Sequence, residues 1–201
     1  FGFYYESVKE QYLFRAAELI ASGFSGGKIT EISWETIAQQ NAAAIFPNYT
    51  IKMGCTNQNT LSSWQAGLTT VFSPQNITVV LGANDFQLTT AYEWDGISNL
   101  IIEVCFDNTA NNAYTNNWAV SHQILPYNTT LNLKSDINNV CPSLTAPLAS
   151  NKRPITKFKT CPTIPDPNNF SFQWTPSSFL SSNSDQSPYS IPFVSTYYNV
   201  V

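Results

Sequence analysis

The stretch AYEWDGISNLIIEVCFDNTANN, residues 91–112, sets Glu93, Asp95, Glu103 and Asp107 around an apolar run. Two acids from distant strands can serve as the acid and base of glycoside hydrolysis without any local motif. Glu103, among apolar neighbours, is the residue whose acidity such a setting would shift most. Its alternative is a hydrogen-bonded or outward-facing strand carboxylate. Asp95, Asp107 and Asn108, with Asn111 and Asn112, offer the hard oxygens that calcium prefers. No D-x-D-x-D-G loop accompanies them, and Asp and Asn shape turns without an ion. No cofactor is otherwise called for.

The single histidine, His122 in NWAVSHQILPY, has no G-x-S-x-G elbow or H-E-x-x-H spacing to serve, so it reads as a strand histidine rather than a catalytic base or zinc ligand. Glycine loops for nucleotide phosphates are missing. Of five tryptophans, Trp34 and Trp174 lie in alternating stretches and read as core. Trp118, in the polar NNAYTNNWAV, is the candidate ligand contact, a surface on which a sugar ring could stack, with burial as its alternative.

The four cysteines, Cys55, Cys105, Cys141 and Cys161, show no C-x-x-C spacing, so two disulfides and an oxidising compartment are expected. Three pairings remain open on the residues alone. The four Asn-x-Ser/Thr triplets, at Asn48, Asn76, Asn128 and Asn169, carry little weight in a chain so rich in those residues. Only 11% of the 201 residues are charged while 14% are aromatic, the profile of extracellular β proteins. The net charge of -4 leaves no phosphate-binding surface, which argues against nucleic acid. No apolar run is long enough to span a membrane, and with no initiating Met or signal-like stretch the chain is expected to be a processed part of an exported protein.

The elements that must hold these residues read as strands. NYTIKMGC puts Tyr49, Ile51, Met53 and Cys55 on one face, NLIIEVCF puts Leu100, Ile102, Val104 and Phe106 on one face, and NFSFQW repeats the alternation. One helix is expected in FRAAELIASG, residues 14–23, with Gly23 at its C-terminal cap. Turn clusters such as WDGISN punctuate the rest. The fold class is therefore all-β, an antiparallel sandwich of jelly-roll-like kind over residues 1–160. A proline-rich linker follows at 161–169, with Pro162, Pro165 and Pro167, and then a short Ig-like β segment at 170–201 with strands near 170–174 and 194–201. That segment is too short to bury a core of its own.

The order YYESVKEQYLFRAAELIASGFSGGKITEISW, NYTIKMGCT, GLTTVFS, AYEWDGISNLIIEVCFDN and NKRPITKF resembles a β-rich domain of large Bacteroidetes proteins exported by the type IX secretion system. The tail, FQWTPSSFLSSNSDQSPYSIPFVSTYYNVV, is similar to the start of the Ig-like or PKD-like repeats of gliding-motility adhesins. The resemblance implies that Cys105 pairs with Cys141, leaving Cys55 with Cys161, and it implies no catalytic residues. Its members are architectural or adhesive modules. The expected function is thus a non-enzymatic extracellular structural or adhesive module that meets other modules of its own protein or neighbouring subunits, with STYYNVV as an edge for end-to-end assembly. The alternative is a carbohydrate-binding module that meets surface glycans.

Overall fold

The computed structural model describes residues 5–39, 45–108, 118–161 and 171–201. In chain order the elements are β1 (Ser7–Phe14), α1 (Ala16–Ala21), β2 (Gly27–Gln39), β3 (Ile45–Thr56), β4 (Thr69–Thr78), β5 (Gly82–Trp94), β6 (Asn99–Asp107), β7 (Trp118–Val120), β8 (His122–Ile124), β9 (Thr130–Ser135), β10 (Leu148–Ser150), β11 (Lys152–Pro154), β12 (Thr156–Cys161), β13 (Trp174–Thr175) and β14 (Asn199–Val200). They fall into two units, residues 1–163 and 164–201. Apart from Cys161, which ends β12, the expected linker at 161–169 lies outside the described residues.

The first unit is an all-β antiparallel sandwich. One sheet has six strands in the order β10-β9-β1-β6-β3-β4; the other runs β12-β2-β5, with β7 also on β2, and β8 pairs with β11 in a separate ribbon. The chain crosses between the two main sheets at β1 to β2, β2 to β3, β4 to β5 and β5 to β6, the habit that defines jelly-roll-like sandwiches. Alternation supplies the side chains between the layers. Tyr49 of β3 stacks on Phe86 of β5 with centroids 5.4 Å apart, Tyr12 of β1 meets Trp34 of β2 edge-on at 6.5 Å, and Phe14 meets Phe158 of β12 at 5.4 Å. Where β4 passes β5, the Thr89 hydroxyl donates to the Val71 carbonyl at 3.0 Å and links the layers along one edge.

The helix forms where expected and ends at Ser22, with Gly23 at φ +91°, the left-handed position that glycine occupies most readily. Glu18 reaches back to accept from the Arg15 N–H at 3.1 Å, which satisfies one open donor of the first turn. No helix among the described residues is long and apolar enough to cross a membrane.

The second unit is sparse. Its strands are shorter than expected, Trp174–Thr175 paired with Asn199–Val200, and they are extended by a reciprocal backbone pair between Gln173 and Val201 at 3.1 and 3.2 Å. Further order comes from the Trp174 indole N–H on the Asp185 carbonyl at 2.8 Å and the Tyr198 hydroxyl on the Ser178 carbonyl at 2.9 Å. No described residue of this unit is buried.

Candidate functional site

Strand β6 is buried on both faces, and this decides the fate of Glu103. Leu100, Ile102, Val104 and Phe106 enter the sandwich core, as the alternation predicts. The opposite face is covered as well. Residues 57–68 and 140–145 cross it as two straps, so Leu13, Ile101 and Leu131 join Leu61 in a second apolar cluster with Trp64 and Leu68 packed on it. Gly54 makes room for the first strap: a Cβ there would lie 2.5 Å from Leu68 Cδ2. The second strap is tied down by the Cys105–Cys141 disulfide.

Strand register assembles the polar centre beneath the straps. Gln11 of β1 and Lys52 of β3 both lie opposite Glu103, one on each side, and Lys9 lies opposite Cys105 one step along the same face. Glu103 is only 4% exposed. Its Oε1 accepts from Lys52 Nζ at 2.9 Å, its Oε2 accepts from Gln11 Nε2 at 2.9 Å, and Lys9 Nζ stands 3.7 Å from Oε2. Gln11 also grips the first strap, donating to the Gln65 carbonyl and accepting from the Gln65 N–H. Lys9 donates to the Ser143 carbonyl at 3.0 Å and lies 4.6 Å over the Trp64 ring, while the Trp64 indole N–H donates to the Thr145 carbonyl at 2.8 Å. Between the straps an open cleft of about 290 Å³ is lined by Lys9, Lys52, Trp64, Gln65, Glu103 and Leu144, among others.

A second carboxyl sits in the sandwich core. Glu10, on the inner face of β1, accepts a hydrogen bond from the Tyr12 hydroxyl. Burial holds its carboxyl above the ordinary carboxylate range, although Tyr12 and Lys134 pull the other way. Burial first, then the Glu10 carboxyl, raises the Tyr12 phenol. At the helix, burial would lift the Glu18 carboxyl, but hydrogen bonds from Tyr127 and Arg153 outweigh it and hold it below the ordinary range.

The other residues singled out from sequence fall as follows. Asp95 accepts from the N–H groups of Ile97 and Ser98 at 2.9 and 2.8 Å and so shapes the turn before β6; hydrogen bonds from Ser98 and Ile97 hold its carboxyl below the usual range. Asp107 ends the nine-residue strand that begins just after this turn, about 27 Å away at 3.4 Å per residue, so Asp95 and Asp107 cannot share an ion. Asn108 is buried at that far end. Asn111 and Asn112 lie outside the described residues. Among the described residues no group of three His, Cys, Asp or Glu is placed to hold a metal. His122 is exposed on β8, its Nδ1 3.3 Å from the Val120 carbonyl.

Three expectations need correction. Trp174, expected in a core, is only half-buried in the second unit. Trp118 is not a surface platform: it is 4% exposed, held in the core by the pairing of β7 with β2, where it lies opposite Gln39. Cys55 and Cys161 are free and exposed, not bridged. Cys55 instead places its sulfur 3.3 Å from the Tyr92 hydroxyl of β5. Cys161 pairs with Lys28 of β2, on the side of that strand away from β5. Sequence reasoning passed over Lys9, Gln11 and Lys52 as site residues, and it counted Trp64 only as one of five tryptophans that could face a sugar ring. The missed signal was the matching parity of SVKEQYLF and NYTIKMGC, which places Lys9, Gln11 and Lys52 on the same face as Glu103 once the strands are in register. Compared with protein-family models, curated proteins and solved structures, the chain matches none.

Proposed function

We propose that this chain is a non-enzymatic, extracellular structural or adhesive module of a secreted bacterial cell-surface protein, akin to the type IX-exported domain that its sequence resembles. The observation that carries this reading is the second unit. Its described residues bury nothing, and it leaves Phe193 88% and Tyr197 91% exposed. A two-stranded pair of this size is marginal in water, and apolar side chains left outside it favour docking against a neighbour. Another module of the same protein or a neighbouring subunit would cover them.

Two features of the first unit support the same reading. The Cys105–Cys141 disulfide suits an oxidising exterior. Glu103 is engaged by Lys52, Gln11 and Lys9 rather than facing a second acid, so it is better suited to holding strands together than to moving protons. The carbohydrate-binding alternative loses Trp118 as its stacking surface, because that indole is buried. The test is protease treatment of intact cells that produce the parent protein. Loss of the chain from undisrupted cells is expected. Full protection until the cells are lysed would overturn the surface assignment.

A further inference from the structure

The cleft over Glu103 has features that strand cohesion alone does not require. Ion pairs withdrawn from water are costly, and apolar residues of similar volume often replace them without loss. Yet here two lysines and one carboxylate are kept under the straps, beside an apolar cluster that continues along the same face. The formal charges do not cancel: Lys9 and Lys52 against Glu103 leave one positive charge. Lys9 is spoken for by Ser143, Trp64 and Glu103. Lys52 is different. Its side chain is 34% exposed and spends a single donor on Glu103, leaving two without a partner among the described residues.

The aromatic component of the cleft is fixed in advance. The Trp64 N–H is tied to Thr145, its ring carries Lys9, and the neighbouring Gln65 backbone is clamped by Gln11, so ring and strap have little freedom left to lose on binding. The two straps have separate anchors, the Gln11 amide for one and the disulfide for the other. A cleft of about 290 Å³ lies near the lower end of small-ligand sites and is open enough for a ring belonging to a longer chain. A half-exposed indole suits the apolar face of a sugar, and a lysine with spare donors suits a carboxylate.

We propose that this cleft binds an acidic sugar, a hexuronate unit of a polysaccharide, with its carboxylate on Lys52 and its ring against Trp64. The site stands independently of the assembly role assigned to the second unit. It replaces Trp118 with Trp64 as the sugar-facing aromatic. Glu103 acts as a positioning residue: it holds Lys52 at the rim and excludes ligands that bring a second negative charge deeper into the cleft.

The test uses the full chain with tri-galacturonate and, as control, the same trisaccharide with its carboxylates methyl-esterified. Binding is followed by calorimetry and by NMR of the Trp64 indole N–H. Saturable binding of the acid form is expected, at least tenfold tighter than that of the ester, with a shift of the Trp64 resonance. Lys52→Met keeps the apolar stem and leaves Gln11 and Lys9 on Glu103, so it should still fold, with a lowered melting temperature, while losing about tenfold or more in affinity. Trp64→Phe, which keeps an aromatic ring, should weaken binding by a smaller factor. Absence of saturable binding, equal affinity for acid and ester, or unaltered affinity in folded Lys52→Met would each overturn the proposal.

Discussion

Removing the Cys105–Cys141 bridge is the perturbation whose size follows most directly from the structure. The bridge joins residues 36 apart in sequence. For a closed loop of that length the chain-entropy relation gives about 13 cal/mol/K, or about 4 kcal/mol at 25 °C. For a chain of this size each kcal/mol moves the melting temperature by about 2 to 4 °C, so the loss corresponds to about 8 to 16 °C. The double variant Cys105→Ala/Cys141→Ala, studied by urea and thermal unfolding beside the oxidised chain, should show this loss. Thiol titration supplies the control, because the folded oxidised chain should present two reactive thiols, Cys55 and Cys161. The second strap should also loosen, since Ser143, which accepts from Lys9, lies two residues from the lost bridge. A stability loss below about 1 kcal/mol, with both thiols titrating as stated, would refute the view that this bridge constrains the unfolded chain.

Other outcomes follow from single side chains. Because Glu10 has a raised folded pKa, the native state binds more protons than the unfolded one between the ordinary carboxyl value and that raised value, so its contribution to stability falls as pH rises through this window. Glu10→Gln should therefore flatten that slope and raise the melting temperature at pH 8 relative to the parent; a slope unchanged by the substitution in calorimetric scans would contradict the assignment. Gly96 has φ +76°, and a Cβ there would lie 3.0 Å from the Ser25 carbonyl oxygen, so Gly96→Ala should cost about 1 to 3 kcal/mol in urea unfolding. Glu103→Gln leaves Lys9 and Lys52 facing each other without the carboxylate and should cost about 3 kcal/mol, an effect that circular dichroism melts would register and that a solvent-exposed carboxylate would not produce.

The sandwich was legible because β3 and β6 alternate cleanly: Tyr49, Ile51 and Met53, and then Leu100, Ile102, Val104 and Phe106, face the core in the parity that their spacing predicts. The helix was legible from local signals too, with Gly23 marking its end. The cleft was not, because alternation within one strand says which residues share a face but nothing about what covers it. The straps that bury Glu103 come from segments 57–68 and 140–145, far from β6 in sequence, and only register places Gln11 and Lys52 on either side of it. Trp118 misled for a related reason. Its polar neighbours suggested solvent, whereas pairing with β2 carries the indole into the core. The pairing of Cys105 with Cys141 rested on the family resemblance, and the remaining two cysteines show that an even count does not guarantee a second bridge.

Sedimentation velocity over a wide concentration range, on the intact chain and on a chain lacking residues 194–201, tests the central claim most directly. The account predicts concentration-dependent assembly of the intact chain and its loss on deletion, because the deleted residues include β14 and the exposed Tyr197. A chain that stays monomeric at every concentration, or one that assembles equally well without these residues, would contradict it.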